Sequence, residues 1–190
     1  MQSHPDPKSR TPLFLTLIAA GIFLIGAALL LLPARGQATA LQGSGMTRPP
    51  VFMDQAAPLL ALTDLQSNPV SLNDFNGKVV LINNWATWCP PCQVEMPELQ
   101  AYYQTHLKQG FVIVAIESGE PAATVAGVVR QLGLTFPVWL DRDGAAVEAF
   151  KNWNLPSSYL VDQQGAIRMS WTGSVNQATL EKYVTPLLEK

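Results

Sequence analysis

The chain has little charge and few metal-binding side chains. Only 14% of its 190 residues are Asp, Glu, Lys or Arg, and 12 basic groups against 14 acidic ones leave a formal net charge of -2. With no basic excess there is no electrostatic footprint for nucleic acid. Cysteine and histidine occur twice each. A structural zinc site takes four ligands. Cys89, Cys92, His106 and the distant His4 are too few for one, unless subunits share a site.

Charge is missing altogether from one segment. Leu13 to Leu32 reads LFLTLIAAGIFLIGAALLLL, and at about 1.5 Å rise per residue such a helix is about 30 Å long, enough to cross a bilayer core. It is apolar on every face, which argues against a buried soluble helix. Its length fits an uncleaved anchor better than the shorter apolar stretch of a secretory signal, although Ala38-Thr39-Ala40 would suit a signal cleavage site. Lys8 and Arg10 precede the span and Arg35 follows it closely, so the positive-inside rule puts the N-terminus in the cytoplasm and the remainder outside. The expected organisation is a cytoplasmic tail over 1–12, a transmembrane anchor (or signal) over 13–32, a linker over 33–50 and one domain over 51–190. Gln37 to Pro50 is small, polar and rich in Gly and Pro, as linkers are.

Within that domain the pattern alternates. Leu59–Asp64 and Val70–Leu72 flank a turn and suggest a hairpin. Lys78–Asn84 and Phe111–Ile116 are short, β-branched apolar runs that suit buried strands. Pro90–Lys108 reads as a helix with Val94, Leu99, Tyr102, Tyr103 and Leu107 facing the core. Further helices are expected over Ala122–Leu132 and Ala145–Trp153, with a short strand over Pro137–Leu140 between them. Ser157–Val161 and Ala166–Trp171 form a second hairpin pattern, and Asn176 can cap a final helix. Such an order implies an α/β sandwich with a mixed sheet.

Both cysteines lie in Trp85-Ala-Thr-Trp-Cys-Pro-Pro-Cys92, where a buried strand gives way to a helix. A structural disulfide there would gain little, because chain-entropy stabilisation grows with loop length. A one-cysteine peroxidase pattern, P-x-x-x-T-x-x-C, is absent, since Ile82 and Ala86 stand where Pro and Thr would be. A dithiol–disulfide redox pair uses every feature. Exchange needs an accessible thiolate of lowered pKa, and the positive end of a helix dipole at Cys89 supplies one. Cys92, one turn in, would resolve the mixed disulfide. Pro90 and Pro91 suit the first helical positions and stiffen the turn. Having no N–H, they also leave Cys92 as the nearest backbone donor to a Cys89 thiolate, so a moderately reducing couple is expected.

These residues resemble the thioredoxin superfamily and, within it, the TlpA/ResA-like thiol-disulfide oxidoreductases, membrane-anchored thioredoxins of the bacterial cell envelope. The similarity runs from about Ala57 to the C-terminus. Besides the CPPC motif it rests on Asn76–Asn83, Glu95-Met-Pro-Glu-Leu99, Phe136-Pro-Val138 with Asp141, and Leu155-Pro-Ser-Ser-Tyr-Leu-Val-Asp162 with Gly165. The resemblance implies a thioredoxin-like fold, a mixed central sheet flanked by helices with an N-terminal β-hairpin. It implies a cis peptide bond at Pro156 beside the cysteines, with Leu155 offering its backbone to an extended substrate segment. Asn83 occupies the position where thioredoxins often carry a buried Asp. Glu120, in a Gly-Glu pair, matches the acidic position of ResA-like proteins and is the expected proton shuttle or specificity residue for Cys92, with Glu117 as the fallback. Trp88, Pro90, Pro91, Leu155 and Pro156 are expected to meet substrate, and Trp85 to pack in the core. Lys78 and Glu95 are expected to be solvated.

The implied activity is exchange of protein disulfides through Cys89 and Cys92, with no metal or organic cofactor. The implied partners are a membrane electron donor of the CcdA/DsbD type and, as leading substrate, the haem-attachment cysteines of apocytochrome c. A general envelope disulfide reductase, a peroxide-handling thiol protein, and a non-enzymatic binding module with a structural disulfide are the alternatives.

Overall fold

The computed structural model describes residues 48–189. Its frame is an eight-stranded mixed sheet in the order β1-β8-β7-β4-β5-β6-β2-β3. At its centre β4 (Val79–Trp85) and β5 (Phe111–Ser118) run parallel, Val79 opposite Phe111 and Trp85 opposite Glu117. β6 (Val138–Asp141) extends the parallel part, and β7 (Ser157–Val161) pairs antiparallel to β4 on the other side. β8 (Ala166–Thr172) completes a hairpin with β7. This is the expected thioredoxin-like α/β architecture.

Every residue of β4 is buried, which explains why its sequence shows no alternation: both faces are covered. Val79, Leu81 and Trp85 point to one face, with Phe111, Ile113 and Ala115 of β5. On that face lie α1 (Pro90–His106), α2 (Ala122–Leu132) and α4 (Gln177–Tyr183). Val80, Ile82, Val112 and Val114 point to the other, against α3 (Ala145–Phe150) and the N-terminal hairpin. The chain ends in α5 (Thr185–Leu188) after Asn176 caps α4 by accepting from the Thr179 N–H at 2.9 Å.

The expected N-terminal hairpin forms as β2 (Ala61–Asp64) and β3 (Pro69–Ser71), and β2 also pairs with β6, which joins the hairpin to the main sheet. Other expectations need correction. An unforeseen strand, β1 (Val51–Ala56), adds to β8 at the opposite edge. Its outward residues give it no hydrophobic alternation to read. Val94 is exposed, not core-facing. It lies about 200° round the helix from Cys92 at 100° per residue, whereas Cys92, Met96, Leu99, Tyr102 and His106 form the buried stripe. Leu107 is half-exposed because the helix tightens into a 3-10 turn over Leu107–Gln109. The helix expected to reach Trp153 stops at Phe150, with Lys151 in the left-handed region.

Among the described residues no helix is long and apolar enough to cross a membrane. The expected tail, anchor and most of the linker lie outside those residues.

Candidate active site

The strand–helix junction places the chemistry. β4 ends at Trp85, and a turn closed by the Cys89 N–H donating to the Ala86 carbonyl at 3.2 Å leads into α1. Cys89 is the N-cap of α1, in extended conformation, and Pro90 and Pro91 open the helix. Cys89 and Cys92 are joined by a disulfide, their Cα atoms 5.3 Å apart. Cys89 is 4% exposed and Cys92 is fully buried, so an attacking thiol reaches the pair through Cys89. Both prolines and Trp88 are exposed around it.

An N-cap side chain accepts from the N–H of the second or third helical residue. Here the second is Pro91, which has none, and the third is Cys92, whose N–H donates to Cys89 Sγ at 3.3 Å. Replacing Pro91 by Ala adds the missing donor. The Cys89 thiol pKa should then fall by about one unit, and the reduction potential should become less negative by about 30 mV. Titration of thiolate absorbance and a glutathione equilibrium would check it. No change in either would show that Pro91 acts only through stiffness.

The Leu155–Pro156 bond is cis. Because Asn84 pairs with Ser157 across β4 and β7, the register sets Pro156 beside Trp85, at the strand end that carries the cysteines. The Pro156 carbonyl accepts from the Gly173 N–H at 2.9 Å, and half-buried Leu155 lies just outside the ladder. The loop leading into it exposes Trp153. Trp85 is fully buried.

Two carboxyl groups lie under this surface. Glu95 is 1% exposed, not solvated as its place in the sequence suggested. It follows Cys92 by three residues, so the two share a helix face. Its Oε1 accepts from Asn83 Nδ2 at 2.8 Å and its Oε2 from the Val175 N–H at 2.9 Å. Burial pushes its pKa up to about 7, against the lowering effect of those two hydrogen bonds. Asn83, which also donates to Ser158 Oγ at 3.0 Å, thus orients a titratable carboxyl while carrying none. A Glu one helical turn beyond the inner cysteine, matched with a polar residue two before Trp85, is the signal that could have found Glu95.

Glu117 is fully buried at the end of β5, and burial raises its pKa to about 7. Its Oε2 accepts from the Glu120 N–H at 3.0 Å. Glu120 is half-buried; its Oε2 accepts from the Thr87 N–H at 3.1 Å and from the Thr87 hydroxyl. Its hydrogen bonds therefore go to the turn before Cys89, and none joins it to Cys92 among the described residues. No group of three His, Cys, Asp or Glu among those residues is arranged to hold a metal.

A cysteine at a helix N-cap with its edge at the surface, a fully buried cysteine bonded to it, and a cis proline at the same strand end define a thiol-disulfide oxidoreductase of thioredoxin-like fold. Known proteins agree. The AhpC/TSA family matches residues 53–170. The chain is 36% identical to the thiol-disulfide oxidoreductase ResA of Geobacillus kaustophilus over 70% of its length and 77% of that protein. It is 33% identical to ResA of Bacillus thuringiensis subsp. konkukian over 77% of its length and 84% of the relative. Among solved structures, a thioredoxin-family thiol:disulfide interchange protein from Chlorobium tepidum superposes with a TM-score of 0.65 at 25% identity, covering 72% of this chain and 97% of that one. The chain belongs to the AhpC/TSA family and, within its thioredoxin-fold members, to the ResA-type thiol-disulfide oxidoreductases.

Proposed function

We propose that this oxidoreductase reduces protein disulfides on the outer side of the cytoplasmic membrane, held there by Leu13–Leu32. Apocytochrome c haem-attachment cysteines are its leading substrate, and a membrane dithiol relay of the CcdA/DsbD type re-reduces it. The observation that carries the reductive direction is the backbone donor at Cys89 Sγ, the Cys92 N–H, which is the one such donor among the described residues. With few donors the thiolate is weakly stabilised, so the reduced pair gives up its electrons readily. The family resemblance supports the substrate and donor, and the charge-free N-terminal run supports the anchor.

The cycle needs only the cysteine pair. The Cys89 thiolate attacks one sulfur of a substrate disulfide. That S–S bond breaks, a mixed disulfide forms, and the first substrate sulfur leaves as a thiolate that takes a proton from solvent. Cys92 then loses its proton to Glu95, whose carboxyl titrates near neutrality. The Cys92 thiolate attacks Cys89 Sγ, forms the intramolecular disulfide and expels the second substrate sulfur. Two electrons have passed to the substrate, and the dithiol donor restores them. Substrate lies in extended form along Leu155 and Pro156, with Trp88, Pro90 and Pro91 forming the rest of the docking face and Glu120 bracing the turn that carries Trp88.

The equilibrium potential of the pair tests the direction. A value near or below about -270 mV is expected of a reductase supplied through the membrane. A value near roughly -120 mV would mark a disulfide donor and overturn the reading.

A further inference from the structure

The turn before Cys89 is held more completely than a loop needs. Thr87 and Trp88 are its two central residues. All three polar groups of Thr87 are engaged: its N–H and hydroxyl by Glu120, its carbonyl by Gln93 Nε2. Glu120 is in turn fixed by Glu117, which accepts from its backbone N–H. Glu117 is anchored from below. It lies opposite Trp85 on β4 and Leu140 on β6, and the carboxylates facing it are those of Glu120 and Asp141. Asp141 is occupied in capping α3 through the Ala145 and Ala146 N–H groups. Glu117 Oε1 has no hydrogen-bond partner among the described residues, nor does the buried Trp85 Nε1. A buried carboxyl with one oxygen unpaired is expensive to keep. Its other oxygen does one thing here, which is to hold Glu120.

We propose that Glu117 is a positioning residue for substrate docking. Acting through the Glu120 backbone, it sets the Glu120 carboxylate that clamps Thr87, and so fixes the exposed Trp88 beside Cys89. The inference rests on the reading of Trp88 as part of the docking face for protein disulfides. It gives Glu117 a part in binding the polypeptide around the disulfide, and none in the electron transfer itself.

The test uses the full chain in detergent micelles, reduced beforehand. Insulin is the protein-disulfide probe and 2-hydroxyethyl disulfide a probe too small to use an extended docking face. Glu117→Ala should raise KM for insulin about tenfold, the expected cost of losing one charge-assisted hydrogen bond in the brace. Its kcat and its rate with the small disulfide should stay close to wild type. Glu117→Gln keeps an acceptor for the Glu120 N–H and should restore KM. In a Trp153→Phe background, acrylamide quenching should report a change at Trp88 for Glu117→Ala and none for Glu117→Gln. An unchanged KM, an equal loss with both substrates, or a Gln variant as impaired as the Ala variant would each overturn the proposal. Failure of the wild-type chain to reduce insulin would instead overturn the docking reading. The quenching result would still decide whether Glu117 sets the turn.

Discussion

Cys92→Ser should stop turnover by at least about a thousandfold and trap the chain on its substrates, because the thiolate that resolves the mixed disulfide is gone. The trap should form through Cys89 alone. On a non-reducing gel the Cys92→Ser variant should carry a slower band that dithiothreitol removes, and the Cys89→Ser, Cys92→Ser double variant should carry none. The asymmetry follows from burial. Cys89 has 4% of its surface exposed and Cys92 has none, so an incoming disulfide meets one sulfur first. A Cys89→Ser single variant that trapped substrate as well as Cys92→Ser does would reverse the assignment of nucleophile and resolving thiol.

The second large effect is expected at Glu95. Its pKa is raised from 4.5 to about 7 by burial. The folded state therefore favours the protonated form. The stability this contributes is fully present below about pH 4.5 and is lost as pH rises through about 7. The span corresponds to roughly 2–4 kcal/mol. Glu95→Gln should remove that part of the pH dependence, measured by urea unfolding of the oxidised protein between pH 4 and pH 8. Toward neutral pH the slope that remains should belong to Glu117, whose pKa is raised in the same direction. At the acid end the lowered carboxyls of Asp64, Asp162 and Glu181 add a slope of opposite sign. Gln fits the site, because Asn83 Oδ1 has no partner among the described residues and an amide flip lets it accept from the new NH2 group. Kinetically, the same variant should slow resolution of the mixed disulfide about a hundredfold by removing a general base. A variant with wild-type resolution rates would show that Cys92 gives its proton elsewhere. Glu95→Ala is a harsher change. It leaves the Val175 N–H and Asn83 without their acceptor in a buried site, which should cost about 3 kcal/mol.

The same residue shows where sequence reading stops. The C-x-x-C pair, the buried strands and α2 were legible because each is a local pattern: a spacing, an apolar run, a helix closed by Gly133 in the left-handed region. The cis bond at Pro156 was legible only through family resemblance, since isolated X–Pro bonds are mostly trans. Glu95 reads as solvated because charge normally signals solvent, and the partners that make its burial tolerable come from 12 residues before it and 80 after it. Val94 is apolar and close to the site, but its phase on the helix, about 200° from Cys92, turns it to solvent. β1 was missed because an edge strand with mostly exposed residues has no hydrophobic period to display. For Glu95 the missing information was long-range contact; for Val94 it was helical phase, and for β1 an edge position that leaves no apolar pattern.

The spacing of the two cysteines has a thermodynamic consequence. A disulfide that closes a long loop makes oxidation and folding support each other, so that reduction loosens the chain. The loop between Cys89 and Cys92 is minimal, with three residues of sequence separation. Its chain-entropy contribution to stability is correspondingly small, about 2 kcal/mol. The rest of the fold is held by the two apolar layers on either side of the sheet. Reduction is therefore expected to leave the scaffold in place, so that nearly all of the free energy difference between the two forms is available to a partner's sulfurs. The domain can shuttle electrons many times without its architecture being a reactant.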